Sequence, residues 1–297
     1  MPPFLLPDIY LLVGCLGGLL LLQAWQARRR AAQRRARVRQ VTLPHFASAY
    51  LGNSRDLFVF LPPGYDNNQQ RRYPVLYVND GQDREQLRLR ETLADLMLAG
   101  RIRPLIAVAI PTNADRLQEY GTAAAANAQG LGTRAADYAR FVVEEVMPAI
   151  NTQFRTHPHS AAILGASLGG LSAFDIAWNH PRHFGIVGVF SGSFWWRAAP
   201  AETAVTPNAL IMHDVVRHGA PRPALRGWFE AGTRDERDDR DQNGVIDAIQ
   251  DTLELIAAWE EKGGQVGQNI AYVEIRGGKH NYETWSRVLP AFLEWAF

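Results

Sequence analysis

The chain is 297 residues long and 47% hydrophobic, and its 31 basic and 30 acidic side chains leave a formal net charge of +1. That length and apolar content suffice for one large α/β core, while the near-neutral balance argues against a nucleic-acid partner, which requires a basic face. The single cysteine, Cys15, excludes an intramolecular disulfide.

In chain order, the first feature is an apolar run from Phe4 to Leu22, interrupted by Asp8 and followed by Arg28, Arg29, Arg30, Arg34, Arg35, Arg37 and Arg39. It reads as a single-pass N-terminal anchor helix. Its uninterrupted part is shorter than the ~20 residues of a full span, with Trp25 placed to sit at the interface. The positive charge follows the apolar run, which argues against a cleavable signal peptide and favours the cytoplasmic face for everything behind it; the periplasmic or extracellular face stays open. Leu12-Val13-Gly14-Cys15 also resembles a lipobox, but no positive charge precedes it and the apolar run continues past it. Residues 1–40 therefore form anchor and juxtamembrane segment, and residues 41–297 a catalytic domain.

Strands are expected at Leu57 to Leu61, Pro74 to Val78 and Leu105 to Ile110. Helices are expected at Glu85 to Leu98, stopped by Gly100, and at Arg134 to Phe154. The long stretch from Pro111 to Gly132 between them is expected to border a functional site, with Arg116 and Glu119 as a structural pair. A buried strand, Ala161 to Leu164, then runs into Gly165-Ala166-Ser167-Leu168-Gly169 and a helix from Leu168 to Asn179. That is a G-x-S-x-G at a strand-to-helix turn, where small neighbours let a strained serine project its hydroxyl.

A serine nucleophile needs a base and the base an orienting acid, following in the order acid, then histidine. After a strand at Trp228 to Ala231 comes Gly232-Thr233-Arg234-Asp235-Glu236, making Asp235 the candidate acid and Glu236 the fallback. After Ile270 to Ile275 comes Gly277-Gly278-Lys279-His280, making His280 the candidate base. The first oxyanion donor is the N–H of Leu168 at the helix start, and the second that of Gln82, or Gly81, after the strand ending at Val78. Trp195, Trp196 and Trp285, with Phe194 and Arg197, are candidate walls for an aromatic acyl group, with the core as the alternative for most of the tryptophans. Asp239, Asp241, Asn243, Gly244, Val245 and Asp247 follow the spacing of a calcium loop without its terminal glutamate. Gln250 stands there instead, beside Asp251, and Asp247 with Gln250 also makes a capping box for a helix from Ala248 to Lys262. No cofactor is required for the chemistry, and calcium would be structural.

Leu61-Pro62-Pro63-Gly64-Tyr65, Val75 to Gln82, Gly165 to Gly170, Phe190-Ser191-Gly192-Ser193-Phe194-Trp195-Trp196, Gly232 to Asp235 and Gly278 to Asn281 resemble the esterase family of enterochelin esterase, esterase D and the feruloyl esterases, from about Val41 onward. The resemblance implies an α/β-hydrolase fold, a mostly parallel sheet with helices on both faces, and a serine carboxylic-ester hydrolase with a small-molecule ester as substrate. The Ser-Gly-Ser-Phe-Trp-Trp run points to siderophore-like or aromatic acyl esters. The separate N-terminal domain of some cytoplasmic enterochelin esterases is absent. An acyltransferase on the same triad and a non-catalytic membrane-tethered binding protein are the alternatives.

Overall fold

The computed structural model describes Trp25, residues 38–67, 69–198 and 210–297. The expected anchor and most of the arginine block fall outside the described residues, and among those described no helix is long and apolar enough to cross a membrane.

The described fold begins at the arginine block's end. Strands β1 (Arg39–Ser48) and β2 (Asn53–Leu61) form an antiparallel hairpin, followed by β3 (Tyr73–Asn79), α1 (Leu89–Leu98) and β4 (Ile106–Ile110). A one-turn helix α2 (Arg116–Glu119) lies in the long connection to α3 (Ala135–Arg140). A π-helical turn (Phe141–Val146) joins α3 to α4 (Met147–Gln153). Then come β5 (Thr156–Ala166), α5 (Leu168–Asn179), β6 (Phe184–Phe190), α6 (Ile211–His218), β7 (Arg226–Arg234), α7 (Asp247–Glu260), β8 (Ile270–Lys279) and α8 (Tyr282–Ala296).

The strands make one sheet in the order β1-β2-β4-β3-β5-β6-β7-β8. The pairings from β4 through β8 are parallel, whereas β1 with β2 and β2 with β4 are antiparallel. The sheet is therefore mixed, because a tight turn at Gly52 sends the first hairpin straight back on itself. The central parallel strands β3 and β4 are buried throughout, so they read as continuous apolar runs. Along β3, Val75 and Tyr77 enter one core while Leu76 and Val78 enter the other; along β5, Ile163 and Leu164 divide the same way. Helices α3 to α7 cover the first face and α1 and α8 the second, with Phe174, Trp178 and Trp259 filling one core and Leu289, Phe292 and Trp228 the other.

The elements depart from expectation at several points. Residues Glu85 to Arg88 form turns before α1, with Arg88 in a left-handed conformation at φ 56° that delays the helix to Leu89. The helix expected over Arg134 to Phe154 is continuous but widens in mid-course. Helices α6 and α8, and strands β1 and β6, are additions.

Candidate active site

The strand order reverses beside β3, which sends the chain to β4 on one side and to β5 on the other. In an open parallel sheet the crevice at the carboxyl ends of such a pair is where a ligand sits. The loops that follow β3 and β5 carry Gly81, Gln82 and Ser167.

Ser167 adopts φ 55° and ψ −127° between β5 and α5. A non-glycine residue held there is strained, and the surroundings impose it. A Cβ on Gly165 would meet the Gly169 carbonyl oxygen at 2.0 Å, so strand and helix approach this closely only because that position has no side chain. Backbone bonds hold the turn: Ser167 N–H donates to Phe190 O at 2.9 Å, and Ser193 N–H donates to Ser167 O at 3.1 Å. The Ser167 hydroxyl is half-buried and lies 3.4 Å from Ser193 Oγ.

His280 follows β8, with an exposed edge and its ring set against Trp285, centroids 5.1 Å apart and planes at 80°. Burial of part of the ring lowers its pKa below the ordinary imidazole value; the Asp235 charge opposes this and the nearby Arg116 cation adds to it. The ring is thus neutral, and able to accept a proton, around pH 7. Asp235 and His280 line a common cleft with Arg234, Glu236, Arg237, Lys279 and Asn281. One Asp235 oxygen accepts from Gly232 N–H at 3.0 Å, and the other is buried with no partner among the described residues. No hydrogen bond joins His280 to Asp235 or to Ser167. Glu236 is committed elsewhere: its carboxylate accepts from Ala248 N–H in the first turn of α7.

The loop after β3 is built on an ion pair. Asp80, nearly buried and left-handed at φ 53°, receives Arg116 Nε at 2.7 Å and Nη2 at 2.9 Å, and its own N–H donates to Tyr120 Oη. Gly81 is pressed on β4, where a Cβ would meet the Ala109 carbonyl carbon at 2.5 Å, whereas Gln82 is exposed. Gln82 Oε1 accepts from Thr112 N–H at 2.9 Å, which ties this loop to the connection after β4. The backbone N–H groups of Gln82 and Leu168 form no hydrogen bond among the described residues. Such N–H groups, at a loop and at a helix N-terminus, are suited to an oxyanion.

The chain matches the family described as "Putative esterase" over residues 48–296. It belongs to the esterase family. A protein named uncharacterized protein YbbA from Bacillus subtilis (strain 168) is 26% identical over 257 residues, 84% of this chain and 95% of that one. A solved ferulic acid esterase superposes with a TM-score of 0.67 at 20% identity, covering 88% of this chain and 98% of that one. The enterobactin esterase from Shigella flexneri, solved in the presence of enterobactin, gives 0.68 at 21% identity. The match takes in 87% of this chain but 58% of that larger protein. A serine-to-alanine mutant of the feruloyl esterase module from Clostridium thermocellum, complexed with sinapinate, gives 0.61 at 15% identity. Carboxylic-ester hydrolysis is the activity that family membership carries.

Around the centre of this esterase, the aromatic candidates separate. Trp195 is 41% exposed, while Trp196 is buried against Gly121 and Gly132, and Phe194 is core. Trp285 is buried too, its indole N–H donating to Ser191 Oγ at 2.9 Å, so it supports His280 from behind. Arg197, half-buried, donates to the Trp195 carbonyl. Arg116 and Glu119 do not pair: Glu119 turns inward to Arg55 at 2.8 Å, both buried, and Arg116 turns to Asp80. One helical turn separates the two side chains, but only one faces the core.

The calcium-spaced loop does not gather its ligands. Among the described residues no group of three or more histidine, cysteine, aspartate or glutamate side chains is placed to hold a metal ion. Asp239 instead accepts from the N–H groups of Asn243 and Gly244, and Asn243 Oδ1 accepts from Val245 N–H. The guanidinium of Arg240 sits among Asp247, Asp251 and Glu254, supplying the positive charge that adjacent carboxylates require. Asp241 and Asn243 bond to Gln250, which crosses into the loop instead of closing a capping box. The residues as arranged do not fit calcium. Sequence reading missed Ser193, Asp80 and Tyr282. Tyr282 donates to Asp83 at 2.8 Å across 199 residues of chain, a contact with no local signature.

Proposed function

We propose that this esterase works through an acyl-enzyme on Ser167. His280 takes the hydroxyl proton as Oγ attacks the ester carbonyl, and Asp235 holds the imidazole tautomer. The tetrahedral oxyanion is received by the N–H groups of Leu168 and Gln82. Collapse expels the alcohol as His280 returns the proton, and water, activated by the same ring, releases the acid. The observation that carries this reading is the strained Ser167 turn at the switch point, flanked by two N–H groups with no acceptor among the described residues. Strain at a position that the fold over-determines is a mark of function.

For the acyl side we propose an aromatic or catecholate acid. Trp195 offers a flat, exposed face two residues beyond Ser193, and Arg197 lies beside it. Solved proteins of this fold are named ferulic acid esterase and enterobactin esterase. We further place the domain on a membrane through residues 4–22, with the cytoplasmic face favoured by the arginines that follow.

The test is hydrolysis of p-nitrophenyl acetate, then of feruloyl and catecholate esters, by the wild type and Ser167→Ala. A burst of p-nitrophenol and fluorophosphonate labelling, both lost in the variant, are expected. A folded wild type that neither turns over nor labels overturns the reading. Ester formation with added alcohol, exceeding hydrolysis, would replace the hydrolase by a transferase.

A further inference from the structure

Glu230 lies in β7, two residues before Gly232 and the loop that carries Asp235, and its side chain is wholly removed from solvent. Its register partners are Phe190 on β6 and Val273 on β8. The carboxyl has one hydrogen-bond partner among the described residues, Ser191, whose hydroxyl donates to Oε2 at 3.4 Å; Oε1 has none. A buried carboxylate with an unpartnered oxygen and no cation is not sustainable, so the group is held as the neutral acid. Burial, then the charge of Asp235, pushes its pKa up to about 8. The titratable groups bearing on it are Asp235 from the following loop and Tyr272 from β8, which Glu274 also faces.

Ser191 links this acid to the active site. Its backbone is left-handed at φ 46°, its N–H donates to Glu230 O at 2.8 Å, and its hydroxyl receives the Trp285 indole N–H at 2.9 Å. Trp285 is in turn the ring against which His280 lies. Since no hydrogen bond among the described residues holds the His280 imidazole, its placement rests on that edge-to-face contact. The single proton on Ser191 Oγ goes to one acceptor, Glu230, and one of the two Oγ lone pairs receives one donor, Trp285. The chain from β7 to the imidazole is therefore directional. It also explains why a carboxyl is tolerated in the core: it is an acceptor that adds no charge under Asp235.

We propose that Glu230 is a positioning residue for the general base, acting through Ser191 and Trp285 on the ring that seats His280. The proposal rests on the acyl-enzyme reading of Ser167 and His280. It is tested on the full chain with Glu230→Leu, which removes the acceptor, Glu230→Gln, which restores a neutral one, and Trp285→Phe, which keeps an aromatic ring but loses the donor. Glu230→Leu and Trp285→Phe are expected to lower kcat roughly tenfold, leaving KM within about twofold, with Glu230→Gln rescuing most of the loss. In parallel, the imidazole titration of His280 followed by NMR is expected to move up toward the ordinary histidine value in the two damaging variants, and to stay in place in Glu230→Gln. Wild-type kcat and an unmoved His280 titration in Trp285→Phe and Glu230→Leu overturn the proposal, as does a loss confined to KM. Should Glu230→Leu fail to fold, Trp285→Phe alone decides by the same criteria. A wild type that hydrolyses no ester overturns the acyl-enzyme reading separately, and the His280 titration then still decides this one.

Discussion

At Ser167 the conflict between backbone preference and position is greatest. A side chain at φ 55° and ψ −127° carries about 1–3 kcal/mol of strain, which glycine does not feel. Ser167→Gly should therefore abolish fluorophosphonate labelling yet raise stability by about 1 kcal/mol after glycine's own entropy cost, read as a higher midpoint in urea; an unchanged or lower midpoint would remove the strain argument. The proposed base, His280, gives a second prediction. Burial and the Arg116 cation depress the His280 pKa, so kcat/KM should climb with pH to a plateau through an apparent pKa below the ordinary imidazole value. In Arg116→Gln the cation is gone, which favours the imidazolium. The acid limb should move to higher pH, and a limb that stays put would show that Arg116 does not bear on His280.

Among the elements, those that satisfy a local rule are legible in sequence, and those stabilised by distant partners are not. The β5–Ser167–α5 turn is readable because close packing of strand on helix demands small residues at fixed spacing, and β3 and β4 because two covered faces demand unbroken apolar runs. The placement of α2 is not readable. It depends on Glu119 reaching Arg55 on β2, 64 residues away, and on Arg116 reaching Asp80 after β3. The acidic loop before α7 misled for the same reason: a carboxylate spacing is visible, but the arginine that fills it is recognisable only once the helix brings Asp247, Asp251 and Glu254 to one side. The α2 anchorage is testable. Arg55 and Glu119 are both buried, so Glu119→Gln strands a cation in the core and should cost about 3 kcal/mol in urea unfolding, whereas Arg55→Met with Glu119→Leu should recover most of it. Equal loss in the single and double variants would mean that packing, not charge, holds α2.

Across the molecule as a whole, buried ionisable groups set an unusual pH response. Burial raises Glu230 to about 8, Asp175 to about 7 and Asp251 to about 6, whereas it lowers His213 to about 4. A carboxyl whose folded pKa lies above its unfolded value stabilises fully below the unfolded pKa, and that contribution is lost as pH rises to the folded one. A histidine with a lowered pKa acts in the other sense, destabilising as pH falls below about 6.5. The two kinds overlap on the acid side, but between about pH 7 and 8 Glu230 holds most of the protons that these four bind in the folded state and the unfolded chain has released, while Asp175 gives up the rest of its own. Stability should therefore fall with rising pH in that interval, by about 1 kcal/mol per unit, as expected for one proton. Glu230→Gln removes the titrating proton while keeping the neutral shape, so it should flatten the slope of unfolding free energy against pH and gain on the wild type at pH 8. A slope that persists undiminished in Glu230→Gln would place the titrating proton on another group and overturn the neutral-acid reading of Glu230.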